Sequence, residues 1–405
     1  MNYIDKARKL DEVRYAIRGP LLQEANRMEA QGQKILKLNI GNPYPFGLEA
    51  PDYIIDTLVK NIRASQGYLD SKGLLASRQA VAEYCRKKNF PNVDVDDIYL
   101  GNGGSEMIIM AMQALLNPKD QVLVPSPGYP LWSAAVHLSD GVAVPYVCDE
   151  QADWNPDLDD IRKKITHRTR AIVVINPNNP TGALYDKDVL QGIVDIAREY
   201  NLVIFCDEIY DRLVMDGLTH TSIASLAPDL FVVTMNGLSK SHLVCGFRVG
   251  WMVLSGDKSK AKDYIDGLTL MASMRLCSNA PAQFIIPAAL ADMESPKKLM
   301  SPGGRMYEQR ECVCNILAEI PGISFVRPKA AFYIFPKLDK KRFNIKSDTQ
   351  FALDLLKAKN VLVVEGSGFD WPGQDHFRIV CLADVPMLSD ALGRIKDFLA
   401  DYRQA

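Results

Sequence analysis

The feature that most constrains this chain is an alternation. Short runs of β-branched and other apolar residues recur, and segments of helical periodicity separate them. "DIYLGNGG", "QVLVPSPGY", "AIVVINPNNP", "LVIFCDEIY", "FVVTMNGLSK" and "GWMVLSG" each read as a buried strand running into a turn of Gly, Pro or polar residues. Between them, "SEMIIMAMQALL" and "DKDVLQGIVDIAREYN" carry apolar residues at helical spacing. Strands that are apolar throughout need cover on both faces. The pattern therefore predicts an α/β fold, with a mostly parallel sheet between helices. In such sheets ligands bind beyond the carboxyl ends of the strands. Here the polar signatures follow the strands.

The pattern changes over "ESPKKLMSPGGRMYEQR", from Glu294 to Arg310, where two prolines and a Gly pair interrupt it. Beyond lie a helix near 306–319, the strand-like "ISFVRPKAAFYIFP", a helix near 348–358, "VLVVEG" and "HFRIVCL". These predict a smaller α+β unit. The segment up to residue 50 ends in the turn-rich "NIGNPYPFGLEAP" and is expected to pack with that unit. The expected organisation is an N-terminal arm with part of the small domain (1–50), a large domain (51–300) and a C-terminal small domain (301–405). A chain of 405 residues has room for one large and one small domain.

Composition removes several classes of function. With 47% hydrophobic and 24% charged residues the chain is ordinary for a globular protein, and a formal charge of −2 gives no reason to expect nucleic acid or an anionic membrane as partner. The five histidines are too scattered to suggest a metal cluster. Of the eight cysteines only Cys312 and Cys314 lie close together, with no second pair at zinc spacing, and several sit in apolar runs. A reduced, cytoplasmic protein is expected. "MNYIDKARKLDEVRYAIRG" has no apolar core of signal-peptide length, and no run of eighteen apolar residues occurs, so neither secretion nor a membrane span is expected.

Four signatures carry the candidate chemistry. In "GNGGSE" a strand opens into a helix, and Gly103, Gly104 and Ser105 suit a phosphate cradle, because glycines let backbone N–H groups approach an anion at the positive helix end. Alone, the stretch is equally a tight strand-to-helix turn, since Glu106 stands where the dinucleotide pattern needs its last glycine. "NPNNPTG" sets two asparagines between two prolines after a buried strand, a rigid polar device around Asn179. "DEIY" puts Asp207 at the end of another buried strand, which is costly without a cationic partner. "NGLSKSHLVCGFRVGW" brings Lys240 and Arg248 eight positions apart among small and aromatic residues. Read by itself, that stretch is a loop with two solvated charges.

In order and spacing these residues, followed by Arg378 in "HFRIVCL", resemble the pyridoxal 5'-phosphate (PLP) aminotransferases of fold type I, class I/II. The resemblance covers nearly the whole chain. "YAIRGP", "LNIGNP", "YLDSKGL", "GNGGSE" and "MASMRLCSNAPAQ" look like the bacterial glutamate–pyruvate (alanine) branch of that family. The resemblance implies that Lys240 holds the cofactor aldehyde as a Schiff base and, once displaced, moves a proton between the substrate Cα and the cofactor. Asp207 would pair with the ring nitrogen. Asn179 and Tyr210 would bond the phenolic oxygen, and Tyr129 in "SPGYPLW" would stack on the ring, although alone it is as readily a core tyrosine. Arg248 would grip the phosphate with its planar fork. Tyr68 would reach that phosphate from a second subunit, implying a homodimer with shared active sites.

Arg378, with the Gly41 backbone and Asn179, would bind the substrate α-carboxylate; by itself it is also a rim charge. Arg18 and Tyr15, in and beside "YAIRGP", are the candidates for a glutamate side-chain carboxylate, with Arg18 equally a surface charge on an arm. The chain departs from many relatives in two places. Gly237 stands where an alcohol often binds phosphate, which leaves the role of Ser239 open, and Ala330 replaces a frequent Gly. The expected reaction moves an amino group between L-alanine/pyruvate and L-glutamate/2-oxoglutarate. Transamination of aromatic or assorted amino acids, a PLP-dependent C–S β-lyase and a non-catalytic regulatory module are the alternatives. The module lacks support, since no helix-turn-helix extension or basic arm precedes the fold.

Overall fold

The computed structural model describes residues 3–13, 15 and 19–405. Its largest sheet has eight strands: β1 (Ile98–Asn102), β2 (Gln121–Ser126), β3 (Val142–Asp149), β4 (Asn155–Pro156), β5 (Thr169–Ile175), β6 (Val203–Asp207), β7 (Phe231–Gly237) and β8 (Val249–Gly256). They lie in the order β1-β8-β7-β6-β5-β2-β3-β4. Only β4 and β8 run opposite to the other six strands, so the sheet is mostly parallel, as the alternation predicts.

The strands are buried because alternate residues enter two cores. Ile172, Val174, Ile204, Cys206 and Val232 belong to one cluster, and Val173, Phe205, Val233 and Met235 to the other. Helices close both faces. The helix Lys187–Tyr200 buries Leu190, Ile193, Val194 and Ala197, one stripe at three- and four-residue spacing, and Gly104–Leu115 buries Met107, Ile108 and Ala111. The strand β3 lacks the signal of the others because Pro145 interrupts it. It is tolerated since only Cys148 and Asp149 face β4 and the rest of that edge is unpaired.

The second body is smaller. Three strands, β9 (Tyr333–Ile334), β10 (Val364–Glu365) and β11 (Phe377–Val380), form an antiparallel sheet with β11 in the centre. The helices Arg305–Ala318, Asp348–Lys359 and Val385–Asp401 supply Val313, Leu355, Leu388 and Ile395 to its core. Of the N-terminal segment, Leu21, Ala25 and Met28 share that core, and Leu36–Lys37 pairs in parallel with Val361–Leu362.

Two local expectations differ. "ISFVRPKAAFYIFP" is not one strand but two short pieces, Ile323–Ser324 and Tyr333–Ile334. The amides of Lys329 and Ala330 both donate to the Gly182 carbonyl, and Ala331 takes φ +58°, which breaks the extended run. The interrupted stretch after Glu294 still forms the helix Glu294–Met300 before the Pro-Gly-Gly break. All eight cysteines are free, and no helix among the described residues is long and apolar enough to cross a membrane.

Candidate active site

The carboxyl ends of five parallel strands deliver polar residues to one place. Gly103–Ser105 follow β1, Tyr129 follows β2, Asn179 follows β5, Asp207 ends β6, and Ser239 and Lys240 follow β7. Because β8 runs backwards, Arg248 just before it stands at this same edge. A cavity of about 1080 Å³ opens over these ends. The smaller body contributes Tyr333 and Arg378 to it, and the N-terminal segment contributes Tyr15 and Gly41.

Asp207, Lys240 and Arg378, all on this cavity, have no oppositely charged partner among the described residues. Asp207 is buried, and its two oxygens accept only from the Trp132 indole N–H and the Ile209 amide, each at 3.2 Å. Burial pushes its pKa up to about 6, against the pull of those two bonds. Lys240 donates from Nζ to the Gly41 carbonyl at 2.7 Å and lies 5.8 Å from the centre of the Phe332 ring. Arg378 is buried, donates to Asn179 Oδ1 at 2.8 Å and to the Asn39 carbonyl, and lies against the Tyr333 and Phe369 rings. Its Nε has no partner, and burial lowers its pKa. Unbalanced charges of this kind are expensive unless a ligand completes them.

The glycine-rich turn has a shape that suits an anion. Gly103 takes φ +77° and caps the helix Gly104–Leu115, and a Cβ there would collide with the Arg248 guanidinium. Glu106, out of place in an anion cradle, is turned back. Its carboxylate accepts from the Asn102 amide at 2.7 Å and from the Asn102 side chain and Arg275. Gly104, Ser105, Ser239 and Arg248 all line the cavity. Arg248 is anchored by its Nη1 on the Cys245 carbonyl at 2.8 Å.

Tyr210 is buried and shares a hydrogen bond of 2.7 Å with Tyr333. Tyr129 shares one of 3.0 Å with Tyr15. Tyr68 stands apart: it is 81% exposed and does not line the cavity of its own chain. Arg18 lies outside the described residues. Sequence reading passed over Trp132 and Tyr333. The indole of Trp132 stood three positions beyond the tyrosine chosen in "SPGYPLW". No local signal marks Tyr333, whose partner is 123 positions away.

The donor set suits one kind of ligand. A phosphorylated, pyridine-like aldehyde would meet the N–H groups and Arg248 with its phosphate, Asp207 with a protonated ring nitrogen, and Lys240 with its carbonyl carbon. The cation of Arg378 then remains for a substrate carboxylate.

Known proteins agree with this geometry. The profile of the family "Aminotransferase class I and II" matches residues 33–395. The chain is 55% identical over 404 residues, all of both chains, to a glutamate-pyruvate aminotransferase of Escherichia coli, and 50% identical over 397 residues to an alanine aminotransferase of Mycobacterium bovis, covering 98% of this chain and 92% of that one. Its fold superposes on the alanine aminotransferase of Pyrococcus furiosus with a TM-score of 0.93 at 40% identity, covering 98% of this chain and 99% of the other. The chain belongs to the class I and II aminotransferases, fold type I enzymes that depend on pyridoxal 5'-phosphate.

Proposed function

We propose that this aminotransferase moves an amino group between L-alanine/pyruvate and L-glutamate/2-oxoglutarate in two half-reactions at the cavity above β5–β7. The observation that carries the reading is the convergence of Asp207, Lys240 and Arg378 on one cavity, each without a protein counter-charge, in a chain so similar to alanine aminotransferases.

When bound, pyridoxal 5'-phosphate supplies an electrophilic carbon and a ring that takes up the electron pair left at the substrate Cα. Lys240 would hold that carbon through Nζ and, as a free amine, would be the base that takes the proton from the substrate Cα and returns it one atom away. Asp207 holds a proton on the ring nitrogen, and Trp132 and the Ile209 amide fix the carboxylate for that bond. Asn179 and Tyr210 donate to the phenolic oxygen, with Tyr333 orienting Tyr210. Tyr129 packs on the ring. Gly103, Gly104, Ser105 and Arg248 hold the phosphate, and Ser239 borders it. Arg378 orients the α-carboxylate of the substrate with the Gly41 backbone, its guanidinium aimed by Asn179.

The wider assembly belongs to the same reading. Tyr68 reaches the phosphate of a second copy in a homodimer. Support comes from Ile55, Val59, Ile62, Leu270, Met274 and Leu276, apolar residues left exposed on this chain. The Leu69 amide bonded to Cys277 at 3.5 Å ties Tyr68 to the same stretch of surface. The division into 1–50, 51–300 and 301–405 follows the shared core of the N-terminal helix and the C-terminal helices. The eight free cysteines suit the cytoplasm.

The test is optical. Purified with its cofactor, the protein is expected to be yellow, and L-alanine and L-glutamate to shift that absorbance more readily than L-aspartate, L-phenylalanine or L-valine. A protein that stays colourless with added pyridoxal 5'-phosphate would refute the reading. For the side-chain pocket, Arg18→Ala is expected to raise KM for glutamate and 2-oxoglutarate far more than for alanine. An equal loss on both would remove Arg18, and Tyr15 beside it, from substrate recognition.

A further inference from the structure

A polar cluster that no role above uses lies beside the cofactor-facing loops. Glu208 follows Asp207 in the chain and Asp211 follows Tyr210. Both carboxylates are 1% exposed, and neither lines the cavity. Lys88, just past the helix Leu75–Lys87, puts Nζ 2.6 Å from Asp211, 3.6 Å from Glu208 and 3.1 Å from His220 Nδ1. An ammonium only donates, so Nδ1 accepts and the neutral imidazole carries its proton on Nε2. That Nε2–H donates to the Asn176 carbonyl at 3.1 Å. Ser222 and Cys206 both donate to Glu208 Oε1, whose Oε2 has no hydrogen bond and faces the Lys88 ammonium at 3.6 Å, and Tyr84 donates to Asp211. Burial opposes the Lys88 charge, yet Asp211, Tyr84 and Glu208 outweigh it and hold its pKa above the ordinary value.

The ligand atoms of Glu208, Asp211 and His220 lie within 4.8 Å of one another, a spacing that suits a divalent cation. Here the lysine ammonium sits among them. The two acids belong to the loop that carries Asp207 and Tyr210. Asn176 opens the loop that carries Asn179, and its amide donates to the Asp207 carbonyl at 3.0 Å. One cation is thereby bonded, directly or through one imidazole, to both loops.

We propose that Lys88 is a positioning residue, its ammonium standing where a metal ion would and clamping the 176–182 and 207–211 loops in the arrangement that receives the cofactor. The proposal rests on the reading of Asp207 and Asn179 given above. Without the ammonium, two carboxylates face each other in a buried site, and one must take up a proton or open to water.

The test titrates pyridoxal 5'-phosphate into the full-length protein after removal of its cofactor, following the fluorescence of tryptophan, since Trp132 bonds Asp207. In Lys88→Met the dissociation constant is expected to rise about 10–100-fold, the range typical of outer partners that orient first-contact groups. In Lys88→Ala, Zn²⁺ is expected to restore part of the affinity by occupying the vacated point, with no effect on the unaltered protein. A melting temperature that drops while the dissociation constant stays put marks a purely structural lysine and overturns the proposal. A folded Lys88→Ala that Zn²⁺ leaves unchanged overturns the claim that the cation is what acts. Should Lys88→Met fail to fold, His220→Phe removes only the link to Asn176. Weaker cofactor binding there supports the clamp, and unchanged binding overturns it. Failure of the unaltered protein to bind the cofactor would sink the site reading itself and is read separately.

Discussion

Asp207 and Asp211 sit four positions apart on one loop, both buried, and they could hardly be treated more differently. Asp211 has Lys88 at 2.6 Å; burial works against its ionisation, but the cations Lys88 and Arg212 outweigh it and bring its pKa down to about 2. Asp207 has no cation, and burial lifts its pKa to about 6. Two arginines repeat the contrast, each 2% exposed. Arg310 is gripped at both Nη atoms by Asp216, at 2.6 and 2.7 Å, while among the described residues Arg378 meets neutral oxygens and aromatic faces. Burial alone therefore does not mark a functional charge. The mark is a buried charge that faces the cavity and whose compensation is missing from the protein and left to a ligand, whereas the equally uncompensated Glu365 lies off the cavity.

That contrast can be broken by substitution. Lys240→Ala is expected to have the largest effect, removing transamination by about 10²–10⁴-fold or more, the range for a positioned proton-transfer group. The variant should still fold and bind the cofactor non-covalently, and turnover near the unaltered rate would end the assignment of Lys240. Next come the arginines. Arg378→Leu is expected to lower kcat/KM for every amino acid by about 10²-fold, through the loss of charge-assisted bonds of ~1.5–3 kcal/mol each, with the melting temperature held or raised. Arg310→Leu should do the reverse: near-normal kinetics, and a fold weaker by about 3 kcal/mol, at the low end for a broken buried pair because Asp216 can regain water. Loss of fold in Arg378→Leu together with unimpaired folding of Arg310→Leu would invert the comparison.

The aspartates add a pH signature. The Asp207 carboxyl titrates near 6 in the folded chain, against ~3.9 in an unfolded one. A raised carboxyl pKa costs stability once the group is ionised, so the cofactor-free protein should lose stability through Asp207 as pH rises from about 4 to 6. Asp207→Asn should abolish that component. Comparison with the variant is needed because Glu365, which burial raises to about 7, titrates in an overlapping window. Asp211 has the opposite sign: its contribution is present above pH ~4 and fades as pH falls toward 2. Melting curves of both Asn variants between pH 2 and 8 check this, with Asp211→Asn lower above pH ~4 and approaching the unaltered protein below it, and Asp207→Asn gaining on the unaltered protein as pH rises from about 4 to 6. The smallest effect is expected for Tyr333→Phe, a loss of ~1 kcal/mol for the bond to Tyr210, read as a several-fold change in kcat/KM.

The sheet and its chemistry were largely legible because local pattern encodes them. An apolar run that ends in an aspartate, as in "LVIFCDEIY", announces both a strand and a charge with nowhere to go. The direction of β8 was not legible, since a fully buried strand has the same composition whichever way it runs. Pro145 concealed β3, and the Gly182 carbonyl, about 150 positions away in sequence, is what breaks "ISFVRPKAAFYIFP" into pieces. Trp132 and Tyr333 matter through partners distant in the chain. The same holds for Lys88, which looks like any helix-end lysine until Glu208, Asp211 and His220 are folded around it.

The reversed strand β8 also sets how the site is distributed along the chain. An antiparallel neighbour needs only a short connection, whereas a parallel one needs a full crossover. The strands β7 and β8 with the loop between them, residues 231–256, form one contiguous hairpin unit that carries Lys240 and Arg248 at a fixed separation. Asp207 and Asn179 arrive on parallel strands and depend on the helices between them. Half of the proposed cofactor grip thus comes on one contiguous stretch of chain, and the other half is gathered from strands far apart in sequence.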